Sequence, residues 1–248
     1  MRLSKAWIVA TKDFKTFRHR KAIIYSMVGF EIFVSVGLPL IIKYATSHSH
    51  TPAGATLAAF SNVLTAFAFF FAIGAAVLPM AIASYSFVGE KVQKSLEPLL
   101  ATPTTDAEII IGKGLATFIP TILSTWIGGT IFMILMNKVT AKAFGHTYYP
   151  NPEMWIILLV LAPLVCIAAI EINVLISAKF NDIRSAQQFG SLSLLPFMAI
   201  YVLSEIGVYT LNTTNLWIIS AIVFALALVL YFLSLATFQR EEILTKWN

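Results

Sequence analysis

Six long apolar runs separated by polar stretches organise the chain: Ala22–Ile42, Leu57–Phe87, Ile109–Leu135, Met154–Ser177, Phe189–Leu211 and Asn215–Ala236. Each reaches the roughly 20 residues that an α-helix needs to cross the hydrocarbon core of a bilayer. The expected architecture is therefore an all-α membrane protein of six transmembrane helices in one domain, residues 1–248. The second run is longer than one crossing requires. Divided in two, it would leave about 15 residues per crossing, which is too few. Pro79 is instead placed to kink it, or its end lies in the membrane interface.

Ahead of the first run the periodicity changes. Leu3, Trp7, Ala10, Phe14 and Phe17 recur at helical spacing, and Lys5, Lys12, Lys15, Arg18 and Arg20 lie mostly off that stripe. This predicts an N-terminal amphipathic helix lying on the interface, its cations turned to anionic lipid. No apolar core of a signal peptide precedes Ala22, so the first run is expected to stay as an anchor.

The connection between the second and third runs is the most polar part of the interior. The stretch "EKVQKSLEPLLATPTTDAEIIIGK", residues 90–113, holds seven charged residues and two prolines. Thr105 and Glu108 are spaced as a capping box, the hydroxyl accepting from the Glu108 amide and the carboxylate from the Thr105 amide. Asp106 and Glu108 also suit the positive end of a helix dipole. A helix is thus expected to start near Asp106 and run into the third span. Pro103 disfavours helix at Thr102 and separates that start from a shorter helix around Ser95–Ala101. Leu96, Leu99 and Leu100, set among Glu90, Lys91, Lys94 and Glu97, are too apolar for a merely solvated loop. They suggest a surface that meets lipid or a protein.

Composition agrees with the pattern. Of the residues 58% are hydrophobic and 12% charged, with a mean hydropathy of +0.81, whereas soluble domains are about 25% charged. Fourteen of the seventeen Lys and Arg residues lie in segments 1–21, 88–108 with Lys113, 178–188 and 237–248. Cytoplasmic loops carry such an excess, so both termini are expected in the cytoplasm of a multi-pass protein of the cell membrane. Tyr148, Tyr149, Trp155 and Trp217 would then lie in the outer aromatic belt. Lys179, Asp182 and Arg184 would form a short cytoplasmic turn. The net charge of +5 does not indicate nucleic acid, because the basic residues flank apolar runs. The single cysteine, Cys166, excludes an intramolecular disulfide and a Cys-based zinc site. His48, His50 and His146 have no fixed scaffold, and no metal site is expected.

Three acids fall inside the runs: Glu31, Glu171 and Glu205. An ionisable group at that depth costs roughly 2.5–3.5 kcal/mol on insertion scales, which makes each a functional candidate. They form a candidate translocation path. The alternative is three protonated carboxyls hydrogen-bonded between helices. The runs contain no His or Asp, which removes intramembrane Ser–His, paired-Asp and zinc proteases, so an enzyme is not expected.

The segment "GEKVQKSLEPLLATPTTDAEIIIGKGLA" resembles the corresponding segment of permease subunits of the type-2 family of ATP-binding-cassette (ABC) exporters. Glu90, Leu96, Glu97, Leu99, Leu100, Thr102, Pro103, Glu108, Ile109, Gly112 and Lys113 match it, while Lys94 and Ser95 stand where Gly-Thr is usual. The ends "KDFKTFRHRK" and "FQREEILTKWN" are similar as well. The resemblance implies a permease paired with a second copy, as homodimer or heterodimer, and driven by separate ABC ATPase chains that carry ATP and Mg. It makes segment 88–108 a cytoplasmic coupling helix, with Glu90, Lys94, Leu96, Glu97, Leu99, Leu100, Pro103 and Glu108 as coupling residues. The chain has no G-x-x-x-x-G-K-[ST] phosphate loop, since Gly112-Lys113 lacks the upstream glycine and the following Ser or Thr. The other readings are a stand-alone secondary transporter or ion channel that uses the three glutamates, and a membrane anchor for another complex.

Overall fold

The computed structural model describes residues 3–18, 21–48, 57–84, 86, 88, 105–180 and 182–237. All of its regular elements are helical. Among the described residues six helices are long and apolar enough to cross a membrane: Ile24–Tyr44, Phe60–Ser84, Ala107–Ala141, Pro152–Ser177, Ile183–Glu205 and Thr213–Thr237, here called the first to sixth spans.

The second and fourth spans form the centre. Their most apolar windows are 78% and 61% buried, against 17–33% for the other four. Small residues are buried there: Ala72, Ala75 and Ala76 of the second span, and Ala162, Ala168 and Ala169 of the fourth. In lipid, association rests on close packing, and small side chains let backbones approach. The third span packs against the first, second and fourth, and the sixth packs against the fourth.

Several boundaries differ from expectation for local reasons. The second span is interrupted at Phe69, between helices Leu57–Ala68 and Phe70–Ser84, while Pro79 sits inside the latter. The Phe69 amide is shared between the carbonyls of Thr65 and Ala66, at 3.0 and 3.1 Å. The fifth span starts six residues before Phe189, because the Asp182 carboxylate caps helix Ile183–Ser191 through the Ser185 amide. It ends at Glu205, where the chain turns at Gly207 with φ +76°, a conformation that glycine adopts without steric cost.

The third span belongs to a helix of 39 residues, Asp106–Phe144. At 1.5 Å per residue it is about 58 Å long, nearly twice the hydrocarbon thickness. The expected capping box starts it: the Thr105 amide donates to Glu108 Oε2 at 3.0 Å, and the Glu108 amide donates to Thr105 Oγ1 at 3.3 Å. Gly145, at φ +68°, closes it.

The N-terminal helix, Leu3–Arg18, packs against the third-span helix. Its buried stripe is Ala6, Val9, Ala10, Asp13 and Phe17, rotated from the expected one, and Trp7 is 51% exposed. Small side chains explain the rotation. A Cβ at Gly112 would lie 2.6 Å from the Ala6 carbonyl oxygen and 2.7 Å from Val9 Cβ, so the helices meet backbone to backbone, where an indole would not fit.

Tyr149 also departs from its expected place. It is buried, not part of a belt. Its phenol donates to the Leu64 carbonyl at 2.9 Å, its amide donates to Asn137 Oδ1, and its carbonyl accepts from Asn137 Nδ2. Its ring meets Phe132 edge-on, and Phe132 meets Phe71 in the same way. Burial pushes the phenol well above its ordinary range, so it stays a hydrogen-bond donor. Trp155 and Trp217, by contrast, are about half exposed.

Candidate functional site

Of the eight coupling residues expected from sequence, Glu90, Lys94, Leu96, Glu97, Leu99, Leu100 and Pro103 lie outside the described residues. Glu108 is described and buried, and it serves the capping box. What the structure adds is how the two ends of that connection are held. Ser86 stands just past the second span and Lys113 lies two turns into the third-span helix. The Lys113 ammonium donates to the Ser86 carbonyl at 2.6 Å and to Ser86 Oγ at 3.1 Å. Ser86 Oγ donates onward to Asp13 Oδ2 at 2.6 Å, and that oxygen lies 3.6 Å from Lys113 Nζ. Lys113, Ser86 and Asp13 are 0%, 2% and 3% exposed.

A buried ion pair is sustained only when its desolvation is offset by good geometry and further hydrogen bonds. Here the serine supplies them, accepting from the cation and donating to the anion. Sequence reading counted Lys113 among the loop cations and gave Asp13 no role. The available signal was a lysine seven residues into an apolar helix, which needs a partner.

The three intramembrane acids sit in separate places. Glu31 of the first span is buried, and its Oε1 accepts from Thr125 of the third span at 3.3 Å. Among the described residues its Oε2 is buried without a hydrogen-bond partner, and it points at Gly128, where a Cβ would come within 2.2 Å of it. Glu171 of the fourth span accepts from Ser234 of the sixth. Glu205 lies one turn beyond Tyr201 on the same helix, and its Oε1 is buried without a hydrogen-bond partner among the described residues. Among the described residues no hydrogen bond joins two of these acids. An apolar cavity of about 210 Å³ opens between the second, fourth, fifth and sixth spans, and none of the three glutamates lines it.

Around Glu31 the helices depart from α geometry. Phe33–Gly37 of the first span and Ile157–Leu161 of the fourth are π-helical turns. Such turns are rare and recur at functional sites. The third span passes between them through Gly128 and Gly129. A Cβ at Gly129 would lie 2.8 Å from both methyls of Leu158, inside the second π turn. The Trp126 indole donates to the Leu158 carbonyl at 2.9 Å. This sandwich escaped sequence reading, because π turns have no pattern that periodicity detects.

Helices, spans and buried polar contacts together define a multi-pass membrane protein built around a small-residue core. Residues 7–217 match the family described as ABC-2 family transporter protein, and the chain belongs to it. Its members are the membrane components of ABC transporters, not the ATPases. The chain is also 26% identical over 125 residues to the ABC transporter permease protein NatB of Bacillus subtilis (strain 168). That alignment takes in 49% of this chain and 32% of NatB, so the matched part spans about a third of the relative's length.

Proposed function

We propose that this chain is the transmembrane subunit of an ATP-driven exporter that works by alternating access. Separate ABC ATPase chains supply the energy with ATP and Mg, and a second permease copy, identical or related, completes the pathway within the lipid bilayer. Both termini face the cytoplasm of a cell-membrane protein. The observation that carries this reading is the family match over residues 7–217, which includes most of the N-terminal helix, the whole 88–108 connection and five complete spans.

In this reading Glu90, Lys94, Leu96, Glu97, Leu99, Leu100, Pro103 and Glu108 serve the ATPase contact, with leucines and carboxylates meeting apolar and basic groups. Breaking a buried charged pair by changing one partner costs about 2–5 kcal/mol. Glu97→Lys should therefore abolish permease-dependent ATP hydrolysis while the permease still purifies as a folded protein. Normal ATPase recruitment and hydrolysis with that variant would overturn the assignment.

A second reading, a stand-alone ion transporter, draws on the unpartnered Glu31 Oε2 and on the candidate path of Glu31, Glu171 and Glu205. The two separate cleanly, because ion movement that persists with an inactivated ATPase would favour the second.

A further inference from the structure

Gly112 and Lys113 do different jobs at one contact. Gly112 lets the N-terminal helix approach until the Ala6 carbonyl touches the third-span helix, and Lys113 then reaches the Asp13 carboxylate one to two turns along. A small apolar cluster of Ala10, Phe17, Ile82 and Ala116 closes the same seat and includes the second span. Three elements thus meet at one buried point: the N-terminal helix, the end of the second span and the start of the third. They are distant in sequence, and the 88–108 connection joins the second of them to the third.

We propose that Lys113 is a positioning residue. Paired with Asp13 and bonded to Ser86, it makes the N-terminal helix and both ends of the 88–108 connection one rigid unit. A force applied to that connection is then delivered to the N-terminal helix and the third span together, instead of being absorbed as a hinge at Ser86. The inference rests on the coupling reading above and extends it to a helix that the sequence assigned only to the lipid surface.

The geometry favours a clamp over a moving joint. A charged pair taken out of water gains nothing from sliding, since every displacement exposes an uncompensated charge to an apolar surrounding. The backbone-to-backbone contact at Gly112 likewise leaves no room for a rotation that would bring Trp7 inward.

The test uses the full-length permease with the ATPase that co-purifies with it, in phosphatidylethanolamine–phosphatidylglycerol vesicles. Two quantities are read: amide hydrogen exchange over residues 5–17 and the kinetics of permease-dependent ATP hydrolysis. Lys113→Met and Asp13→Asn should each raise exchange about tenfold and lower kcat about fivefold with an unchanged KM for ATP, because the seat opens locally while the nucleotide site is untouched. The double variant Asp13→Leu/Lys113→Met, which removes both charges of the pair together, should return both quantities to within about twofold of wild type. If the single variants do not fold, Ser86→Ala carries the same test with about threefold changes, since it removes only the bridging hydroxyl.

Unchanged exchange in the single variants would overturn the inference, as would a loosened helix with normal hydrolysis. A wild-type permease that leaves ATP hydrolysis unchanged would overturn the coupling reading, and this inference with it; the exchange data would still report whether the triad seats the helix.

Discussion

At Gly128 the third span gives up a side chain so that the Glu31 carboxyl can occupy its place. A methyl group there would fall 2.2 Å from Glu31 Oε2, whereas one at Gly114 on the same helix would make an ordinary contact, 3.8 Å from Ile170. Forced overpacking costs about 1–3 kcal/mol, while alanine exceeds glycine in helix propensity by about 1 kcal/mol. Gly128→Ala should therefore lower the thermal unfolding temperature in detergent, and Gly114→Ala should leave it equal or raise it. Adding Glu31→Ala to Gly128→Ala should recover most of the loss, because the clash partner is gone. The acids themselves divide the two functional readings. Gln donates and accepts as a protonated carboxyl does, so Glu31→Gln and Glu171→Gln should keep both stability and permease-dependent hydrolysis. Glu171→Leu should destabilise by about 0.5–1.5 kcal/mol, the worth of the bond it removes, because the buried Ser234 hydroxyl keeps the Tyr231 carbonyl at 3.0 Å. Loss of activity in every Gln variant would instead favour the ion-transporter reading.

Individual helices show what a sequence discloses and what it withholds. The capping box was legible because Thr105 and Glu108 act over one turn, and both of its hydrogen bonds form. Thr105→Ala should cost about 1 kcal/mol, seen as faster amide exchange at residues 106–109 while exchange beyond residue 120 is unchanged. The cap of the fifth span is pH-sensitive in a direction fixed by its bonds. The Ser185 amide, then the Ser185 hydroxyl, hold the Asp182 carboxyl below its ordinary 3.8. A depressed value means that the cap contributes fully above about pH 4 and is lost as pH falls through the lowered value. Exchange at Ser185 should rise only in that acidic window, and Asp182→Asn should flatten the dependence. The six spans were legible too, since length and hydropathy are local properties. Tyr149 was not: its place depends on Leu64 and Asn137, which no spacing links to it. Nor was Asp13–Lys113, a pair one hundred residues apart that the periodic stripe placed on the wrong face. Local rules thus gave the elements, and long-range packing decided which faces they bury.

For the whole molecule the central question is which side of the membrane each connection faces, because the coupling reading requires 88–108 to lie with the ATPase. Burial alters the count of loop charges. Lys113 is not a loop cation but a buried one, paired with Asp13, so it should not be counted toward orientation. Removing it from the fourteen leaves thirteen Lys and Arg residues on one side against three on the other. The asymmetry is still large by the standard of the positive-inside rule, so the proposed orientation keeps its support from loop charge. Single cysteines at Ser49, Thr147 and Thr210, each in a Cys166→Ala background, should react in intact cells with a membrane-impermeant thiol reagent. Thr147 and Thr210 are exposed, and Thr210 is a better probe than Thr213, whose hydroxyl is bonded to Glu153 at 2.6 Å. A cysteine at Ser95 should react only after the membrane is opened. Labelling of Ser95→Cys in intact cells, with the other three protected, would invert the molecule. The connection would then face away from any cytoplasmic ATPase, and both the exporter reading and the clamp at Lys113 would lose their role in energy transfer.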